Sequence, residues 1–134
     1  MSKPRDNWRP YVTNALRDYY SYRLIAKEAH SMSITAHYNK GRGSREASRT
    51  TEQAALRTGL TRQQQRELDA IERARTTTRQ GPDGKIRLKV VELVYFRGTH
   101  TIEGAAMQVH VSYNTAWRWT DSFIRLTAKY LGLD

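Results

Sequence analysis

Cysteine is absent from this chain of 134 residues, so neither a disulfide framework nor a thiolate metal site is possible. Its four histidines do not lie at metal-ligand spacings from a carboxylate. No apolar run approaches the ~20 residues that a membrane-spanning helix needs, and the N-terminal sequence lacks the apolar core of a signal peptide. We therefore expect a cytoplasmic protein with no metal, no cofactor and no membrane contact.

The usual sequence signatures of catalysis are also missing. The glycines at 41 and 43 are too few for a phosphate-binding loop, and no Gly-Lys-Ser/Thr follows them. The sequence has no Ser/His/Asp arrangement and no converging carboxylates. Its plentiful tyrosines are not accompanied by the Arg/His cluster of a strand-transfer nucleophile. The sequence therefore predicts that the protein is not an enzyme.

Positive charge is abundant, with 23 Lys and Arg against 13 Asp and Glu and a formal net charge of +10. A field of this sign favours polyanions, of which nucleic acid is the commonest in a cytoplasm. The alternative is that the charge serves solubility alone. Residues 101–134 carry 3 basic and 3 acidic groups, so long-range attraction has to come from residues 1–100.

The N-terminal part is predicted to be one helix from about Pro10 to Tyr38. A single face of it carries Ala15, Tyr19, Tyr22, Ala26 and Ala29. This tyrosine stripe is more typical of a core or a dimer seam than of a base-stacking platform. A glycine-containing basic linker follows, and four cations there are candidate phosphate contacts: Lys40, Arg42, Arg45 and Arg49. We assign residues 1–48 to this helix and linker and residues 49–134 to a helical DNA-binding region.

The central part is predicted to contain three further helices, of which the first is short, spans residues 50–58 and ends at Gly59. Thr61 and Gln64 fit a capping box that starts a helix, and its alternating charges predict that this helix is largely exposed. The "GPDG" sequence at 81–84 ends it. Periodicity leaves helix or strand open for residues 85–97. Length, and the lack of any partner strand, favour a helix and hence an all-α fold.

The C-terminal part predicts a helix-turn-helix at residues 101–131. Thr101 is a good N-cap for a helix over 102–109, and Ser112 caps a second helix. His110 occupies the turn position that requires a positive φ, which histidine tolerates better than most residues. Two helices joined by a short turn hold a recognition helix in the major groove of DNA. The alternative is an ordinary helical hairpin within a bundle.

The second of these helices separates apolar and polar side chains at 100° per residue. Its polar face suits base recognition, because Asn pairs with adenine and Arg with guanine in a bidentate way. We predict base contacts by Asn114 and Arg118, and contacts with phosphate, sugar or thymine methyl by Tyr113, Thr115 and Trp117. The predicted DNA-binding set also includes Ser112, Arg125, Asp121 and Thr101. Asp121 could instead orient Arg118 or Arg125. Thr101 lies at a helix start that is suited to binding a phosphate.

A second apolar stripe on the same helix does not fit the inward face. Its members are Trp117, Ile124, Ala128 and Leu131. Either the helix over 85–97 covers this stripe or another subunit does. Because the chain has little core of its own, we expect a homo-oligomer, with a dimer favoured.

From about Arg49 to its end the chain resembles the RinA/ArpU-like regulators of late gene expression in phages of Gram-positive bacteria. The matching segments are "VVELVYFRG", "TIEGAAMQVHVSYNTAWRW" and "FIRLTAKYLGL". The resemblance implies a helical N-terminal region before a sigma-region-4-like helix-turn-helix, and activation of packaging and morphogenesis genes in the host cytoplasm, with RNA polymerase as a possible partner. The neutral C-terminal part departs from the basic reading heads of many such regulators, which bears on the tightness of binding.

Three functions are therefore open at this point. The first is a sequence-specific transcription regulator that binds double-stranded DNA. The second is a small terminase-like DNA-packaging subunit. Assembly into a ring of many copies would support this function. The third is a helical interaction protein that does not bind DNA, and for it the loss of Arg118 would leave DNA binding untouched.

Overall fold

The computed structural model describes residues 7–40 and 59–134, and regular structure within these ranges is entirely helical. The all-α prediction is therefore confirmed. None of the helices in the described ranges has the length and apolar character needed to cross a bilayer. The helices are α1 (Arg9–Arg17), α2 (Tyr19–Lys40), α3 (Arg62–Gln80), α4 (Gly84–Val91), a π-helical turn that continues it (Glu92–Phe96), α5 (Ile102–Val109) and α6 (Tyr113–Tyr130).

The N-terminal helix is broken at Asp18, so the prediction of one continuous helix is wrong. Asp18 has φ −91° and ψ 2°, and its amide donates to the carbonyl oxygens of both Asn14 and Ala15 at 3.1 Å. This conformation lies close to the helical region. The spacing of the buried residues therefore continues across the break, from Leu16 to Tyr19, and the sequence pattern does not reveal it.

Helix α3 packs one face against α2, α4 and α6, although its charges predict a largely exposed helix. Its start is as expected, because Thr61 and Gln64 form the complete capping box. Most of the helix is exposed or half-buried, as predicted, but its buried face is wider than the charges suggest. Ala70 and Ala74 are buried, and side chains this small let α2 and α6 pack closely against α3. An exposed helix was inferred from the arginines, which lie on its other faces.

Apolar side chains form two clusters. The larger one joins α1, α2, α3 and α6 with Val91 of α4 and Phe96 of the π-turn, and the smaller one joins α4 and the π-turn to α5 and α6. The second apolar stripe of α6 is buried at Ile124, Ala128 and Leu131 in the larger cluster. Helices α1, α3 and α4 of the same chain pack on α6, so this part of the stripe needs no second subunit. The predicted boundary at residue 48 and the predicted short helix over residues 50–58 lie outside the described residues.

Tyrosines of α1 and α2 tie these helices to the carboxylates of α3 and the π-turn. Burial, and then the hydrogen bond to Glu72, raises the pKa of Tyr19 to about 12. The tyrosine stripe is thus part of the core and of a polar network that orients the N-terminal helices. The network also includes Tyr11 and Tyr20, which lie outside the stripe. The tyrosine hydroxyls donate hydrogen bonds from Tyr11 and Tyr22 to Glu67, from Tyr19 to Glu72 at 2.9 Å and from Tyr20 to Glu92 at 2.9 Å.

Candidate nucleic-acid interface

The C-terminal pair of helices is defined by local signals at each end of the turn. Thr101 Oγ1 accepts a hydrogen bond from the Gly104 amide at 3.0 Å and so starts α5. His110 ends α5 in the left-handed region, with φ 64° and ψ 45°. Ser112 Oγ then accepts from the Thr115 amide at 3.1 Å and starts α6. The caps, the turn and both helix starts are therefore where the sequence predicts them.

Small side chains hold the two helices close together. Ala105 and Ala106 of α5 and Ala116 of α6 are fully or almost fully buried, and they pack against Val90 and Leu93. Val109 and Val111, on either side of the turn, pack partly buried on the same cluster. A cluster made of small and branched side chains leaves little room for the helices to slide. This packing therefore holds α5 and α6 against each other.

The first two turns of α6 present an exposed polar and aromatic surface. Asn114 and Arg118 are exposed and lie one helical turn apart, as residues separated by four positions do. Tyr113 is 51% exposed and Trp117 is 43% exposed beside them. This set, which we call the reading surface, brings together four of the predicted site residues. It offers one guanidinium, one amide and two aromatic rings to a ligand.

Three hydroxyls of the predicted site act mainly in the caps. Ser112 Oγ donates to Thr115 Oγ1 at 2.9 Å while it accepts from the Thr115 amide. Thr101 is exposed and similarly occupied by the Gly104 amide. Each cap satisfies one donor of its helix, and the remaining first-turn amides are the ones that a phosphate can use.

The other two predicted residues of α6 contact the N-terminal helix. Asp121 Oδ1 pairs with Arg9 Nη1 at 2.7 Å, and its Oδ2 accepts from Arg125 Nε at 3.2 Å. The Arg125 guanidinium also lies 5.8 Å from the centre of the Trp8 ring. Asp121 therefore orients Arg125 and not Arg118. The start of α1 covers this middle part of α6, so the reading surface ends near Arg118.

Of the predicted phosphate contacts in the linker, Lys40 is the last residue of α2. The structure does not describe the side chain of Lys40, and Arg42, Arg45 and Arg49 lie outside the described residues. The linker prediction therefore stays a prediction.

Sequence reasoning missed one prominent exposed side chain on α5. Met107 of α5 is 69% exposed, the largest value among the exposed apolar residues of the described ranges. The signal was available, because Ala105, Ala106 and Val109 mark the inward face of α5 and place Met107 on the outward face. A flexible, polarizable side chain at this position adds apolar contact area to the exposed face of α5.

Within residues 7–40 and 59–134, no group of three or more histidine and carboxylate side chains is arranged to hold a metal ion. The chain matches no protein-family model, and neither a curated protein nor a solved structure is found to be similar to it. We therefore interpret the reading surface from its geometry, exposure and charge.

Proposed function

We propose that the protein is a sequence-specific transcription regulator that binds double-stranded DNA through α5 and α6. The observation that carries this proposal is the joint exposure of Asn114 and Arg118 on the first two turns of a capped helix. A helix whose N-terminal residues project outward after a short turn is the part of a helix-turn-helix that enters the major groove. The protein would then act by binding and not as an enzyme.

In this proposal each side chain has a distinct task. Arg118 donates two hydrogen bonds to O6 and N7 of guanine, and Asn114 pairs with N6 and N7 of adenine. Tyr113 and Trp117 contact sugar, phosphate or a thymine methyl group, and the start of α5 at Thr101 meets a phosphate. The cations of residues 1–100 supply the long-range attraction, since residues 101–134 have as many acidic as basic groups.

The biological setting is proposed from the resemblance to the RinA/ArpU-like regulators. It comprises activation of late phage genes for packaging and morphogenesis, in the cytoplasm of a bacterial host. A homodimer would place two reading surfaces about 34–36 Å apart, one turn of the duplex. RNA polymerase is the further partner that activation requires.

The test begins by selecting duplexes that bind the full chain from a random pool. Affinity for the selected duplex and for a scrambled one is then measured with Asn114→Ala and Arg118→Ala. Each variant should bind the selected duplex about 5- to 150-fold more weakly, because a bidentate base contact discriminates by about 1–3 kcal/mol. Binding to the scrambled duplex should change much less.

Lys129→Ala is the matched control, because Lys129 is an exposed cation near the other end of the same helix. It should alter the two affinities to the same small extent. Equal losses on both duplexes with Asn114→Ala and Arg118→Ala would show that these residues do not read bases. Failure to select any duplex would contradict DNA binding by the chain.

A further inference from the structure

A cationic groove lies between α2, α3, α4 and the π-turn, and the proposed DNA contacts do not use it. Its volume is about 460 Å³, within the range of small-molecule sites. One carboxylate, that of Glu92, is part of its wall. The cations that line it are Arg23, Arg75, Arg79, Lys85 and Lys89.

Neighbouring carboxylates balance only some of these charges. Glu72 pairs with Arg75 at 3.2 Å and lies 3.9 Å from Arg23. Arg79, Lys85 and Lys89 form no ion pair with any residue in the part of the chain that the structure describes. A cleft lined by charges of one sign concentrates counter-ions of the other sign. Three uncompensated cations match a ligand with two to three negative charges.

An aromatic ring forms part of the wall of the same groove. Tyr20 is 40% exposed, and its hydroxyl donates to Glu92 Oε2 at 2.9 Å. Its ring centre lies 5.6 Å from that of Tyr19 and 6.0 Å from that of Phe96. The ring is thus held in place while part of its surface stays open. A fixed, half-exposed aromatic ring is a stacking platform for a nucleobase.

The groove and the reading surface are on different sides of α4. Val90 and Leu93 pack in the cluster that also contains Ala105 of α5. Lys85 and Lys89, one turn apart, lie on another face of α4 and face α2 and α3. A ligand in the groove therefore does not need to displace DNA from α6.

We propose that this groove binds a free nucleoside diphosphate or triphosphate. Arg79, Lys85 and Lys89 contact its phosphates, and the base stacks on Tyr20. A nucleotide fits the groove better than a simple anion does. The reasons are the size of the groove, the three uncompensated cations and the fixed aromatic ring. The proposal is independent of DNA binding by α6.

Calorimetric titration of the full chain at low salt tests it, with adenosine triphosphate as the probe. Inorganic tripolyphosphate and adenosine serve as probes that lack the base and the phosphates, respectively. The Lys85→Ala/Lys89→Ala variant should bind the nucleotide about tenfold more weakly or worse, since charge-assisted hydrogen bonds are lost. Tyr20→Leu should weaken binding of the nucleotide and leave that of tripolyphosphate unchanged.

Arg62→Ala/Lys129→Ala removes the same charge from exposed positions outside the groove and should keep the nucleotide affinity. Asn114→Ala should also keep it, which separates this proposal from that of DNA binding. The proposal is overturned by the absence of nucleotide binding at millimolar concentration, or by an equal loss in the charge control. It is also overturned if Tyr20→Leu affects both phosphate probes alike, or if the Lys85→Ala/Lys89→Ala variant loses affinity for duplex DNA only.

Discussion

Replacing Glu67 with alanine should destabilise the fold by about 2–4 kcal/mol. Glu67 is only 5% exposed, and its carboxylate accepts hydrogen bonds from Tyr22 at 2.6 Å and from Tyr11. Without it the buried Tyr22 hydroxyl keeps no acceptor, at a cost of about 1–3 kcal/mol. The Tyr11 hydroxyl, on a ring that is 37% exposed, can turn to water and adds less. Such a loss is a large part of the free energy of unfolding of a typical protein, which is about 5–15 kcal/mol.

Urea unfolding followed by circular dichroism measures this cost. Tyr22→Phe removes the hydroxyl but keeps the ring, and should cost about 1–2 kcal/mol by itself. In the double variant Glu67→Ala/Tyr22→Phe, neither partner of the lost bond remains buried alone. The double variant should therefore be about as stable as Glu67→Ala, which gives a coupling energy of about 1–2 kcal/mol.

Asp69→Ala is the control, because Asp69 is an exposed carboxylate on the same helix. It should change the free energy of unfolding by less than about 0.5 kcal/mol. Additive losses for Glu67 and Tyr22, within about 0.5 kcal/mol, would refute the reasoning. They would mean that the two side chains contribute to stability without acting as partners.

Two further predictions concern alkaline pH and the α3–α4 connection. Burial, and then the hydrogen bond to Glu72, raises the pKa of Tyr19 from 10.0 to about 12. The contribution of Tyr19 to the free energy of unfolding is therefore constant below pH 10. It is lost between pH 10 and 12, by about 1.4 kcal/mol per pH unit. Urea unfolding at a series of pH values should show that the free energy of unfolding falls less steeply with pH for Tyr19→Phe than for wild type. An equal pH dependence would contradict the assignment of this loss to Tyr19. In thermal melts Gly84→Ala should unfold far earlier than wild type, since its Cβ would overlap the Arg79 carbonyl oxygen. Gly81→Ala, whose Cβ would lie 3.6 Å from its nearest neighbour, should be tolerated.

The parts of the fold that the sequence predicts well are those encoded within a few neighbouring residues. The capping box at Thr61, the N-caps at Thr101 and Ser112 and the left-handed turn at His110 each depend on hydrogen bonds or backbone angles over three or four positions. Such signals need no knowledge of the tertiary structure. The bounds of α5 and α6, and the exposure of Asn114, follow from them.

The parts that escape prediction depend on residues far apart in the chain. Arg9 and Asp121 form an ion pair across 112 positions, and nothing near Asp121 in the sequence points to it. The burial of α3 likewise depends on which helices Ala70 and Ala74 meet. Alternating charge indicated an exposed helix because pattern analysis gives alanine little weight, although a small side chain is what close packing requires.

If the protein binds DNA as proposed, the pairing of α1 with the middle of α6 limits how many base pairs one copy can recognise. Because Arg9 pairs with Asp121, only the first two turns of α6 would remain for base edges in the proposed complex, with Asn114 and Arg118 as the proposed base contacts. Two such contacts, at about 1–3 kcal/mol each, favour a target over other sites by about 30- to 30,000-fold. A genome offers about 10⁶–10⁹ competing sites. For a duplex bound as proposed, unique addressing therefore requires that two or more copies bind the same operator.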